Sequence, residues 1–210
     1  MPGQRYLAIV GDIVGSRMVE GRADLQARLR TGLRKVNAKF AHTIESRFAL
    51  TVGDEFQGLL GAVDDITRIL ATLWRHAHPT DLRFGIGIGE LETPLRSQAL
   101  GMDGPCFHRA RTAVERAAKE GTPVEVETGE PQAAFEIYAA LFGFMRKRWT
   151  KKQRLVTDLS LSGMDGKDIA ELLSIKPAAV SQHLRAAGAD YLVRATETWL
   201  EALRRLMPEA

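Results

Sequence analysis

The chain predicts an α+β fold, a mainly antiparallel sheet covered by helices, followed by a small all-α helix-turn-helix unit. Three observations carry this. Short runs rich in Val, Ile, Leu and Phe alternate with longer runs of helical periodicity, in the order strand, helix, hairpin, helix, strand, helix, strand, helix. Two strand-like runs flank Gly53-Asp54-Glu55, which reads as an antiparallel hairpin. In the C-terminal third, short helical stretches surround the turn Leu173-Ser174-Ile175.

Residues 6–13 form a buried strand, being short and rich in Ile, Val and Leu. Residues 24–41 space Leu25, Leu29, Leu33, Val36 and Phe40 as one face of an amphipathic helix, with Arg and Lys outside. The hairpin arms are residues 48–52 and 56–60, and a second helix over 63–74 shows Ile66, Ile69, Leu70 and Leu73 on one face. Residues 82–91 alternate Gly85, Gly87 and Gly89 with Phe84, Ile86 and Ile88, as in a central strand whose glycines admit a close neighbour or ligand. A loop at 101–105 leads into a helix over 106–119. A short strand at 123–127 and a helix over 131–149 follow.

A length of 210 residues suits one medium domain and a small one, divided here as 1–145 and 146–210. No apolar run approaches the ~18 residues that cross a bilayer, and the start lacks an apolar signal region, so a cytoplasmic protein with no membrane partner is expected. The single Cys106 excludes an internal disulfide and argues against a zinc thiolate site. Charge is uneven. Residues 1–145 hold 17 Lys and Arg against 18 Asp and Glu, whereas residues 146–210 hold 12 against 8. Six basic residues crowd into positions 146–154, as in a segment that contacts phosphates, although charge alone favours a solvated linker or helix face.

Two aspartates end apolar runs, Asp12 and Asp54, each directly after a glycine, Gly11 and Gly53. A carboxylate among apolar β-formers must be hydrogen-bonded, paired or metal-bound, because burying it bare costs several kcal/mol. If their strands are neighbours, Asp12 and Asp54 make a hard-oxygen site suited to Mg²⁺ or Mn²⁺. Each alone also fits a strand end, a helix cap or a tight turn.

In the C-terminal third, residues 164–188 look like a helix-turn-helix with the small Ala170 at the helix crossing and Pro177 in the first turn of the second helix. Lys176, Ser181, Gln182 and Arg185 fall on its exposed side, where side chains reach base edges and phosphates of double-stranded DNA, and Lys151 and Lys152 precede it. The other reading is a helical hairpin for protein contacts. A last helix over 190–207 carries Leu192, Val193, Thr196, Leu200 and Leu203. That stripe must bury against the helix-turn-helix, the sheet domain or a second copy, and a homodimer would fit a palindromic DNA site.

The runs 8–16, 51–60 and 83–89, with Asp103-Gly104-Pro105 before Ala110-Arg111, resemble the SatD family over roughly residues 5–145. More distantly they look like the palm domains of class III nucleotidyl cyclases and GGDEF diguanylate cyclases. That resemblance implies a palm/ferredoxin-like antiparallel sheet with helices, metal ions on Asp12 and Asp54, and nucleotide phosphates near Gly11, Gly15, Ser16, Glu55 and Arg111. Leu50 stands where the cyclases carry a purine-selecting Lys, so the base-reading half of such a site is missing or remade. The leading expectation is a DNA-binding regulator whose palm-like domain senses a nucleotide. The alternative is a metal-dependent nucleotidyl cyclase or related phosphotransferase with the helix-turn-helix as a targeting module, and a third is an adaptor that uses both parts for protein contacts only.

Overall fold

The computed structural model describes residues 3–15, 21–51 and 55–207. Within them, strands β1 (Tyr6–Ile13), β2 (Ile44–Leu50), β3 (Phe56–Leu60), β4 (Leu82–Gly89) and β5 (Val124–Glu127) form one sheet in the order β2-β3-β1-β4-β5. Helix α1 (Arg22–Lys39) joins β1 to β2, and α2 (Ile66–Ala77) joins β3 to β4. The first four strands thus have the ferredoxin-like βαββαβ connectivity, with every pair antiparallel. Beyond them, α3 (Pro105–Glu120) crosses over to β5, which lies parallel to β4.

The unbroken apolar run of β1 follows from burial on both faces. Its pleat sends Leu7 and Ile9 into the core under α1 and α2, and Tyr6, Ala8 and Val10 into a second cluster with Cys106, Phe107, Ala110 and Val114 of α3. The glycines of β4 admit a helix. A Cβ at Gly85 would strike the carbonyl oxygen of Ala110, and one at Gly87 that of Cys106, so α3 lies with its backbone directly on the strand.

Five more helices follow among the described residues: α4 (Ala133–Arg148), α5 (Lys151–Leu161), α6 (Gly166–Leu172), α7 (Pro177–Ala187) and α8 (Ala189–Leu206). Helices α5, α6 and α7 enclose a small cluster of their own, Val156, Leu159, Ile169, Ala170 and Val180, with Ala170 only 4% exposed at the crossing. Thr150 and Gln153 cap α5 reciprocally. Asp165 accepts from the amides of Lys167 and Asp168 to cap α6.

The main core, however, runs across residue 146. Trp149, Leu192, Trp199, Leu203 and Met207 belong to the same cluster as the sheet, and Tyr138 of α4 stacks on Trp199 of α8 at 5.0 Å. Of the three partners open to the last helix, its buried stripe takes α4 and the sheet-domain core. Val193 of the predicted stripe stays exposed. No helix among the described residues is long and apolar enough to cross a membrane.

Candidate functional site

At the end of β1 the structure brings Asp12 close to Glu55 and Arg83. Gly11 pairs with Phe56 at the start of β3, and continuing that antiparallel register by one step sets Asp12 across from Glu55. The amide of Thr51 donates to the carbonyl of Glu55 at 2.9 Å and closes the hairpin, whose Gly53 and Asp54 lie outside the described residues, as does Ser16. Of the expected Asp12 and Asp54 pair, only Asp12 therefore lies among the described residues. On its other side Asp12 pairs with Arg83 of β4, the Arg83 Nε lying 3.5 Å from an Asp12 carboxylate oxygen. With 31% of its side chain exposed, Asp12 sits at the mouth of the sheet.

Gly11 has a packing role in the structure. A Cβ there would strike the ring of Phe56, so the missing side chain makes room for an aromatic that fills the core between Gly11 and Phe84. Gly15 has φ 69°, a left-handed conformation that favours glycine, and a Cβ there would meet open space. The amide of Val14 donates to the carbonyl of Asp81 at 3.0 Å and is not free to meet a phosphate. Arg111 faces solvent on α3 and makes no side-chain hydrogen bond with a described residue. Its neighbour Arg109 donates to the carbonyl of Ile88, and Arg116 is held by Glu125 and Glu127 of β5. No group of three or more His, Cys, Asp or Glu among the described residues is placed to hold a metal. Burial pushes the Cys106 thiol up to about 11, which leaves it unfit as a nucleophile.

At the other end of the chain, Lys176 precedes α7, and Ser181, Gln182 and Arg185 are exposed along it, opposite the buried Val180. Lys151 is exposed in the first turn of α5, and Lys152 beside it is half-buried. The basic run before them is less available than its charge implies. Arg146 is 3% exposed and binds both Asp81 and Asp158 through bidentate contacts of 2.8 to 3.2 Å, over the ring of Trp74. Arg154 pairs with Asp81 at 3.0 Å, and Arg148 stacks on Phe144. Burial opposes the charge on Arg146, but Asp158 and Asp81 outweigh it and hold the guanidinium above its usual range. Burial also pushes the Asp158 carboxyl up, against the pull of Arg146. The sequence signal for this cluster was Asp158 itself, a carboxylate set between Val156 and Leu159.

The model of the SatD family matches residues 6–203, well past the 145 residues that carry the sequence resemblance. The chain belongs to the SatD family. The SatD match spans the sheet, the three-helix cluster and most of α8 together. No curated protein matches this SatD-family chain. Among solved structures it is similar to two of a bacterial light-regulated adenylyl cyclase. One is 12% identical with a TM-score of 0.45, covering 59% of this chain and 43% of that one. The other is 13% identical with a TM-score of 0.46, covering 70% and 81%. The catalytic core of a rhodopsin-guanylyl cyclase in complex with ATPαS is 14% identical with a TM-score of 0.38, over 53% of this chain and 72% of that one. The chain thus spans less than half the length of the first of these.

Proposed function

We propose that this SatD-family chain is a metal-dependent nucleotide-binding protein of the nucleotidyl cyclase or related phosphotransferase class, with its helix-turn-helix as a targeting module. The observation that supports this is the β1–β3 register, which continued by one step sets Asp12 across from Glu55, the residue after Asp54 in the sequence. Hard carboxylate oxygens at an exposed strand end suit Mg²⁺ or Mn²⁺, which take one or two carboxylates together with phosphate oxygens. When bound, such ions neutralise a polyphosphate and stabilise an attacking and a leaving oxygen.

The chain's own residues have separable roles in this reading. Asp12 and Asp54 offer the carboxylates, and Arg83, 3.5 Å from Asp12, orients it. With the Val14 amide engaged, phosphates meet the chain at Gly15, where a Cβ would meet open space. A thermal-shift screen of the full chain against ATP, GTP and their diphosphates, with Mn²⁺, Mg²⁺ or EDTA, tests the reading. A nucleotide at 100 times its Kd adds about 2.7 kcal/mol of stability. Stabilisation that needs both nucleotide and metal supports the site, and no shift with any pair argues against it.

A specific observation also favours DNA as the target of the C-terminal module. Helices α5, α6 and α7 surround a core of their own, and α7 keeps Ser181, Gln182 and Arg185 on its solvent face. This is the placement that a recognition helix needs to enter a major groove.

A further inference from the structure

A groove of about 570 Å³ lies away from the end of β1, between α1 and α2 on one side and the turn from α5 to α6 on the other. Three cations line it, Lys35 and Lys39 of α1 and Arg75 of α2, against one carboxylate, Asp168. Arg75 is the unusual member. Its Nε is buried without a hydrogen-bond partner, and the side chain makes no ion pair with any described residue. Burial alone holds its guanidinium below the usual range, with no carboxylate to offset the lost hydration. Leaving a guanidinium half-desolvated and unpaired costs stability, and it is the state that a bound anion would relieve.

We propose that this groove binds a phosphate-class anion, with Arg75 as the central donor and Lys35 and Lys39 flanking it. A planar guanidinium matches two phosphate oxygens at once, and three cations against one carboxylate favour a dianion over a carboxylate. The volume suits a small ligand. Because the α5–α6 turn contributes Ser162, Gly163 and Met164 to the wall, an anion here ties the helices that cover the sheet to the helix-turn-helix. The site is independent of the metal site at β1 and needs no metal.

The test uses the full chain in EDTA, titrated with pyrophosphate by calorimetry and thermal shift, and separately with a short duplex DNA. Pyrophosphate is expected to bind and to raise the melting temperature. Arg75→Gln should abolish that response while raising the melting temperature of the unliganded protein, because the uncompensated charge is gone. The exposed pair Lys35→Ala with Lys39→Ala should weaken binding roughly tenfold or more. Arg30→Ala, on α1 but outside the groove, should bind as wild type. If only the duplex binds and the same variants weaken it, the groove's phosphate comes from a nucleic-acid backbone. If neither ligand binds, or the Arg75 and Lys variants bind as wild type, the proposal is overturned.

Discussion

Arg146 joins the sheet domain to the helices that follow it through buried charge. Its guanidinium lies between Asp81, which leads into β4, and Asp158 on α5, and the carbonyl of Asp81 in turn accepts from Val14 just past Asp12. Removing one partner from a buried ion pair leaves the others unpaired and costs about 3–5 kcal/mol. Arg146→Met should therefore lower the urea midpoint strongly, and adding Asp158→Leu should restore much of the loss. Two histidines give a pH signature. Burial holds His76 and His78 below the usual range, and nearby cations add to this, Arg75 and Lys35 at His76, and Arg154 and Lys151 first among those at His78. A depressed histidine stays neutral in the folded chain while the unfolded chain takes up a proton, so stability is lost as pH falls below about 6.5. Melting temperatures followed from pH 7.5 down to 5.5 should fall, and less steeply in the double variant His76→Gln with His78→Gln.

At the scale of elements, α7 carries the DNA reading. Gln182 can pair with an adenine edge, and Gln182→Ala should cost about 1–3 kcal/mol on a preferred site and little on random DNA. Titrations on both DNAs check this, and equal weakening on the two means that Gln182 does not read bases. The elements themselves were legible in the sequence, because hydrophobic spacing marked every strand and helix to within a few residues. Hairpin chemistry placed Asp12 and the 51–55 turn at one end of the sheet. What periodicity could not give is which neighbour an element meets. The glycines of β4 announced a close approach, but only the tertiary structure shows that α3 makes it. Nor does the sequence tell that Gly11 makes room for Phe56. Arg146 read as part of an exposed basic run because its partners, Asp81 and Asp158, stand 65 and 12 residues away in the chain.

Taken whole, the molecule is a ferredoxin-like sheet with one helix added on its second face and an all-helical C-terminal third that shares its core. Trp149 and α8 enter the main hydrophobic cluster, whereas α5, α6 and α7 keep a second, smaller one. The ion cluster at Arg146 joins α5 to Asp81, whose carbonyl accepts from the Val14 amide just past β1. The central claim is that the β1 end binds a metal-bound nucleotide through Asp12. Calorimetric titration of ATP and GTP in Mn²⁺ against wild type and Asp12→Asn tests it most directly. The account predicts metal-dependent binding of at least one nucleotide by wild type, and a loss of roughly tenfold or more in Asp12→Asn, whose amide keeps the shape but removes the charge. Equal binding by the two proteins, or no binding by wild type with the metal present, would contradict it.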